Sequence, residues 1–124
     1  MATAPRIPLP IHEIENVLAF RTQVGAETVR GGESKNLGTV DTSRFDKIRL
    51  VADERIGSTC NVFIRLTIME GSELVAFLDH ILLTPHSQLT RVYDVPGTKL
   101  ELAIDGVGST ATEGAVDILI YGQY

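Results

Sequence analysis

The sequence contains no tryptophan, a single cysteine and no long apolar run. Because Cys60 is alone, no disulfide can form within the chain, and we interpret this residue as a small hydrophobe next to the start of a strand. No apolar run approaches the ~18 residues of a membrane-crossing helix, so we expect no membrane span. A length of 124 residues and a hydrophobic content of 44% are typical of one globular domain with its own core.

An excess of basic residues is also missing. The chain has 11 Lys and Arg residues against 16 Asp and Glu residues, and its formal net charge is −5. The densest basic cluster is Arg44, Lys47 and Arg49, and it is offset by Asp41 and Asp46. Since nucleic-acid phosphates bind clustered Lys and Arg side chains, we predict that nucleic acid is not a partner.

The first ten residues lack the continuous apolar core of a signal peptide, because three prolines interrupt them. Proline fixes an extended backbone, so residues 1–10 are predicted to be an extended arm, either a free tail or a segment lying across a neighbouring subunit. Residues 11–124 are predicted to form one domain. Cytoplasm is the default compartment, and an extracellular location is the alternative if a signal peptide has been removed.

Alternating apolar residues predict strands along most of the chain. Residues 40–52 begin with a polar turn and continue as a strand, and residues 114–121 form a strand of the same kind; we expect these two to supply much of the core. Residues 11–24 fit either a helix or a strand that buries Leu18, Phe20, Thr22 and Val24, and the strand is preferred. The predicted strands are at about 16–24, 28–30, 45–52, 61–69, 74–83, 88–95, 99–104 and 114–121.

Outside the predicted strand at 28–30, residues 26–38 are polar and contain a Gly-Gly pair, so they are predicted to form a turn. About eight strands separated by turns, with almost no helical periodicity, favour an all-β antiparallel sandwich or barrel.

Three features resemble jelly-roll β-sandwich modules of the galactose-binding-domain-like, or discoidin-like, kind. They are Val-Asp-Thr-Ser-Arg-Phe at 40–45, Tyr-Asp-Val-Pro-Gly at 93–97 before Leu-Glu-Leu at 100–102, and the closing strand at 116–122. The resemblance implies a jelly-roll-like sandwich that binds sugars or other surfaces through loops at one end, sometimes with a structural calcium. The tumour-necrosis-factor-like jelly roll, usually a trimer, fits the strand pattern about as well.

Candidate ligand-binding residues are few. His80 and His86 could meet across the Pro85 turn, but they supply only two ligands where zinc takes three or four. The candidate residues for binding a small molecule or glycan are His80, His86, Tyr93 and Asp94.

No catalytic residue, metal site or cofactor is predicted. Asp41, Ser43 and Asp46 supply oxygens that could hold calcium, although turn formation explains the same residues and is preferred.

Apolar residues occur on both faces of several predicted strands, whereas the outer faces of a two-layer sandwich lie in water. The residues on the second face, which are the predicted interface residues, are Val51, Phe63, Met69, Leu119 and Tyr121. We therefore predict a non-catalytic binding or assembly module that forms a homo-oligomer. The alternatives are a carbohydrate-binding module, which the scarcity of aromatics disfavours, and a hydrolase-like or metal-dependent enzyme with a cleft at the strand ends.

Overall fold

The computed structural model describes residues 16–22, 27–95 and 97–124. This part of the chain forms nine strands in two antiparallel sheets, which confirms the predicted all-β sandwich class. The strands are β1 (Asn16–Arg21), β2 (Glu27–Arg30), β3 (Ser34–Asp41), β4 (Lys47–Glu54), β5 (Val62–Glu70), β6 (Glu73–Leu83), β7 (Gln88–Asp94), β8 (Lys99–Gly106) and β9 (Glu113–Gln123).

The predicted arm at 1–10 lies outside the described residues, as do residues 11–15 and 23–24 of the segment that fits a helix or a strand. Residues 16–21 of that segment are strand, as preferred from the sequence. A search of the described ranges finds no helix that could cross a membrane.

Each sheet places strands side by side that are distant in the sequence. The five-stranded sheet has the order β1-β9-β4-β7. Strand β2 also belongs to this sheet: it pairs with the first residues of β9, whereas β1 pairs with the last residues of β9. The four-stranded sheet has the order β3-β8-β5-β6. Strands β6 and β7 are therefore both edge strands.

The core lies between the two sheets and consists of the residues that point inward, which are every second residue along the regular strands. Strand β4 alternates buried residues with exposed or half-buried ones along its whole length, and its Leu50 lies opposite Ile120 of β9. The predicted inward residues of β8, Leu100, Leu102 and Ile104, are all buried. Each such side chain contributes roughly 1.5–3 kcal/mol when it leaves water. The two stretches expected to supply much of the core are thus adjacent strands at the centre of one sheet.

The prediction of a turn over the rest of residues 26–38 is wrong from Ser34 onward, where β3 begins. Strand β3 is an edge strand whose first three residues are exposed, so it lacks the apolar alternation that marks a strand in the sequence. Its Lys35 extends to Glu27 of β2, with Nζ 3.1 Å from Oε2. The polar turn before β4 is correspondingly shorter than predicted, because Val40 and Asp41 end β3.

The chain passes from the five-stranded to the four-stranded sheet at a glycine pair. Gly31 and Gly106 form an isolated parallel bridge, and the Gly106 amide donates to the Glu33 carbonyl at 2.8 Å. A Cβ atom on Gly31 would lie 2.1 Å from the Ser109 carbonyl oxygen, and one on Gly106 would lie 2.0 Å from that of Arg30. Only glycine permits backbones to approach this closely.

Candidate functional site

The outer face of the five-stranded sheet carries a contiguous group of apolar side chains. Directly opposite residues of paired strands point to the same face. Val51 of β4 lies between Thr90 of β7 and Leu119 of β9, and in the next row Arg49 lies between Val92 and Tyr121. Leu18 of β1 lies opposite Tyr121. We name the group the Val51 patch, and its members are Leu18, Val51, Val92, Leu119 and Tyr121.

The Val51 patch is partly open to water. Leu18 and Val92 are 44% and 48% exposed, and the other three members are half-buried. Three of the five predicted interface residues, Val51, Leu119 and Tyr121, therefore come together on one face, which is the arrangement that a shared surface requires.

Sequence reasoning missed Leu18 and Val92. It placed Leu18 on the same side as Phe20, but the register shifts between these two residues, so Leu18 points outward while Phe20 lies opposite the buried Ile120. A bulge of this kind inserts one residue and reverses the alternation. Val92 stands between polar neighbours, and an isolated valine gave no signal of its own.

Charged residues continue the same face along β4. The outward residues of this strand are Lys47, Arg49, Val51 and Asp53. The Lys47 ammonium lies 2.6 Å from the Asp94 carboxylate across the sheet. Within the described ranges, Arg49 and Asp53 form no ion pair with any residue. Two charges of opposite sign thus flank Val51 without partners in this part of the chain.

The outer face of the four-stranded sheet is organised differently, around an ion pair. Arg65 of β5 donates to both oxygens of Asp105 on β8, at 3.2 and 3.1 Å. Burial raises the pKa of Asp105, but hydrogen bonds from Ser34 and Arg65 and the Arg65 charge outweigh it, so the pKa lies below its usual value. His80 joins this cluster, with Nε2 3.7 Å from Asp105 Oδ2.

Phe63 and Met69, the other two predicted interface residues, lie on this second face. The Phe63 ring stacks on the His80 ring with centroids 4.2 Å apart. Met69 is only 8% exposed, so its side chain offers little surface to a partner. The five predicted interface residues thus divide between two opposite faces of the sandwich.

Edge strand β6 contains two bulges and carries exposed apolar residues. The register against β5 shifts between Leu66 and Thr67 and again between Ile68 and Met69, so β6 has two extra residues. Its Leu74, Val75 and Phe77 are 57%, 62% and 70% exposed. A groove of about 300 Å³ lies here. Its lining residues are Arg65, Thr67, Leu74, Val75, Ala76 and Phe77.

Tyr93, a predicted ligand-binding residue, is engaged between the two sheets. Its hydroxyl donates to Asp79 Oδ2 of β6 at 2.7 Å, and Arg91 donates to the same oxygen at 3.0 Å. Burial and the nearby Asp79 carboxylate raise the pKa of Tyr93. Asp94 faces the other way, toward Lys47 on the outer face. The structure therefore does not bring Tyr93 and Asp94 into one site.

The two candidate histidines have different surroundings. His80 belongs to the cluster on the four-stranded sheet, whereas His86 is exposed in the turn between β6 and β7 and has a φ of 67°. Among the residues that the structure describes, no group of three or more His, Cys, Asp or Glu side chains is arranged to hold a metal ion.

The polar turn that could hold calcium is closed by its own hydrogen bonds. The backbone amide and hydroxyl of Ser43 donate to Asp41 Oδ1 at 3.0 and 2.7 Å, and these bonds lower the pKa of Asp41. The Asp46 amide donates to the Gln123 carbonyl at 2.8 Å. This pattern is that of a turn in which the carboxylate accepts from its own backbone.

Glu54, at the end of β4, was not identified from the sequence. Its side chain is fully buried, and neither carboxyl oxygen has a hydrogen-bond partner of good geometry among the described residues. Burial raises its pKa to about 7, although the nearby Ser58 hydroxyl and Val62 amide oppose the shift. The signal was present, because Glu54 continues the inward series Ile48, Leu50 and Ala52.

Comparison with known proteins adds no assignment to this description. No family model matches the chain, and no curated protein matches it. What the protein does has to be inferred from its own surfaces.

Proposed function

We propose that the protein is a non-catalytic assembly module that self-associates through the outer face of its five-stranded sheet. The observation that carries the proposal is the Val51 patch, in which apolar side chains from four strands form one partly exposed surface. Contiguous apolar patches rimmed by polar residues are typical of protein interfaces.

The size of the face supports the proposal. Four strand positions about 4.8 Å apart, and eight residues at about 3.4 Å each, give a face of roughly 19 by 27 Å. Its projected area is therefore about 500 Å², and the accessible surface of a corrugated face is larger. A specific interface of standard size buries about 800 Å² from each partner. One sheet face is thus large enough for a small but specific contact.

We also propose that the sandwich is of the jelly-roll kind. The orders β1-β9-β4-β7 and β3-β8-β5-β6 alternate early and late strands in both sheets. Such an order is in keeping with two interlocked Greek keys, the arrangement of jelly rolls, which include capsid and lectin domains. The likeness to galactose-binding modules remains an expectation, since no sugar-binding residue of that family could be matched to this chain.

The test is the mass in solution, measured by size-exclusion chromatography with light scattering. We expect a multiple of the 13.5 kDa chain mass for the natural sequence. Leu119→Glu places a charge in the Val51 patch and should give the monomer. The matched control is Thr39→Glu, an exposed position on the outer face of the other sheet, which should keep the oligomer.

A second variant separates loss of assembly from loss of folding, because Leu119 is half-buried. Val92→Glu changes a more exposed member of the same patch and should also give the monomer, with an unchanged circular dichroism spectrum. A monomeric mass for the natural sequence at every concentration would overturn the proposal.

The groove beside β6 favours a second candidate function, the binding of a small ligand or glycan. Its volume of about 300 Å³ is at the lower end of the range for small-molecule sites. Phe77 offers an exposed aromatic ring next to the Arg65 side chain, which suits a ligand with one apolar face and hydrogen-bonding groups. A glycan array probed with the natural chain and with Phe77→Ala tests the carbohydrate version. An array without hits removes it.

A further inference from the structure

The outward residues of β4 have a charge pattern that reverses about Val51. Arg49 lies two residues before Val51 and Asp53 lies two residues after it, each about 7 Å away along the strand. Both are without an ion pair among the described residues. A strand face that carries a positive, an apolar and a negative residue in that order is complementary to a second copy of itself that runs in the opposite direction.

Two-fold symmetry makes use of that property. In an interface between identical chains related by a two-fold axis, if residue i of one chain contacts residue j of the other, then j also contacts i. An axis that crosses the strands at Val51 lays β4 antiparallel over β4 of a second copy. Val51 then faces its own equivalent, and Arg49 faces Asp53 of the partner subunit, twice.

We infer that the partner of the Val51 patch is a second copy of this chain, bound in that two-fold arrangement. The inference rests on the proposed self-association and specifies its geometry. An axis running along the strands instead would place Arg49 against Arg49 of the partner subunit, and like charges facing each other across an interface are strongly unfavourable. The charges therefore select one of the two ways of stacking the face on itself.

Neighbouring strands agree with this choice. Leu119 and Thr90 are level with Val51, so each faces its own equivalent near the axis. Tyr121 and Asp117 lie on opposite sides of that level, so a tyrosine hydroxyl comes over a carboxylate. Two contacts are exceptions. Arg21 is level with Leu119 and faces itself, at the exposed rim where water screens its charge. Lys47 and Arg55 lie four positions to either side of Val51 and so face each other, but each already has a carboxylate partner in its own chain, Asp94 and Asp117.

Stacked sheets normally cross at about 30°, so the match is closest near the axis. Residues two positions from Val51 are displaced by only about 4 Å at that angle, which the long Arg49 side chain can span. Edge pairing through β6 is a weaker route to a dimer, because its two bulges interrupt the regular ladder that a second strand needs.

Charge exchange tests the arrangement. Arg49→Asp alone and Asp53→Arg alone each place like charges face to face in the homodimer, and each should raise the dimer dissociation constant by about 100-fold. An equimolar mixture of the two variants should form a heterodimer, because residue 49 of each chain again faces an opposite charge at residue 53 of the other. The double variant should dimerise within about tenfold of the natural chain.

Sedimentation velocity with one variant labelled distinguishes the mixed dimer from the homodimers. The control is Glu101→Arg, on the outer face of the other sheet, which should leave the dissociation constant unchanged. Self-association of the natural chain without rescue in the mixture would overturn the two-fold arrangement while the proposed function stands. A natural chain that stays monomeric would overturn both.

Discussion

The outer faces of the two sheets use similar side chains in opposite ways. On the five-stranded sheet the apolar residues extend across the face from β1 to β7, and Arg49 and Asp53 beside them form no ion pair within the described residues. On the four-stranded sheet the charges lie in the middle, where Arg65 pairs with Asp105, and exposed apolar residues lie on edge strand β6.

Burial separates the charges that hold the chain together from those that are available to a partner. Arg65 and Asp105 are both mostly withdrawn from water, and a charge in that position needs a partner within its own chain. An exposed charge such as Arg49 needs none to be stable in water. Its significance comes from the apolar patch beside it, which is why the first face is interpreted as an interface and the second as a self-contained surface.

The buried face of the five-stranded sheet also carries a charged residue, Glu54, and the largest predicted effect on stability concerns it. Ionised Glu54 is unfavourable because it is buried, so its pKa in the folded chain, about 7, exceeds the ordinary value of 4.5. The folded state therefore binds more protons than the unfolded state between these values, and stability falls as pH rises. We predict a loss on the order of 3 kcal/mol between pH 4.5 and pH 8.

Urea unfolding across that pH range measures this slope. Glu54→Gln should remove most of it, whereas Glu73→Gln, at an exposed position on β6, should leave it in place. An unchanged slope in Glu54→Gln would show that the carboxyl is not the group responsible.

Replacing one arginine on each outer face tests whether the charges of the two sheets differ in what they contribute to stability. Arg65→Ala leaves the Asp105 carboxylate half-buried without its main donor, and we predict a loss of about 1–2 kcal/mol in the free energy of unfolding. Arg49→Ala should cost less than about 0.5 kcal/mol. Both are measured by urea unfolding in the Leu119→Glu background, which is expected to be monomeric. Equal losses would remove the distinction between the two faces.

A smaller effect is predicted at the open edge where β6 and β7 meet. Tyr93→Phe removes the hydrogen bond to Asp79 but leaves Arg91 in place, so we expect a cost of about 1 kcal/mol. Because the pKa of Tyr93 is raised, this tyrosine should ionise late, above the usual pH range of tyrosine, when absorbance is followed at alkaline pH. That late step should be missing in Tyr93→Phe, and its persistence would contradict the assignment.

The smallest effect should come from Lys47→Ala. Its ion pair with Asp94 is short but lies in water on the outer face, where such pairs add little. We expect unfolding in urea to be unchanged within error. A clear loss would mean that paired charges on the five-stranded face also stabilise the chain, as they do on the other sheet.

Strands with regular alternation could be predicted from the sequence. The inward residues of β4, β8 and β9 were identified because every second residue along each of these strands is apolar. Edge strand β3 was missed from Ser34 onward, since an edge strand buries little and needs few apolar residues. Leu18 was assigned to the wrong face, because a bulge reverses the alternation without a mark in the sequence.

The candidate site could be predicted only in part. Val51, Leu119 and Tyr121 were found by their position in the alternation, but their meeting on one face depends on β4 and β9 being adjacent. The pairing of Arg65 with Asp105 likewise joins strands that are far apart in the chain. A single sequence contains the residues of such pairs but not the strand order that brings them together.

The bridge between Gly31 and Gly106 has a consequence for how the sequence can change. A side chain on Gly106 would meet the Arg30 carbonyl of β2, and one on Gly31 would meet the Ser109 carbonyl in the loop between β8 and β9, so the close approach of the chain at that corner depends on two residues that lack side chains. Substitutions elsewhere on the outer faces can alter partners or charge while this spacing persists. Both positions therefore have little freedom to vary, and we expect a descendant with a new partner to keep both glycines.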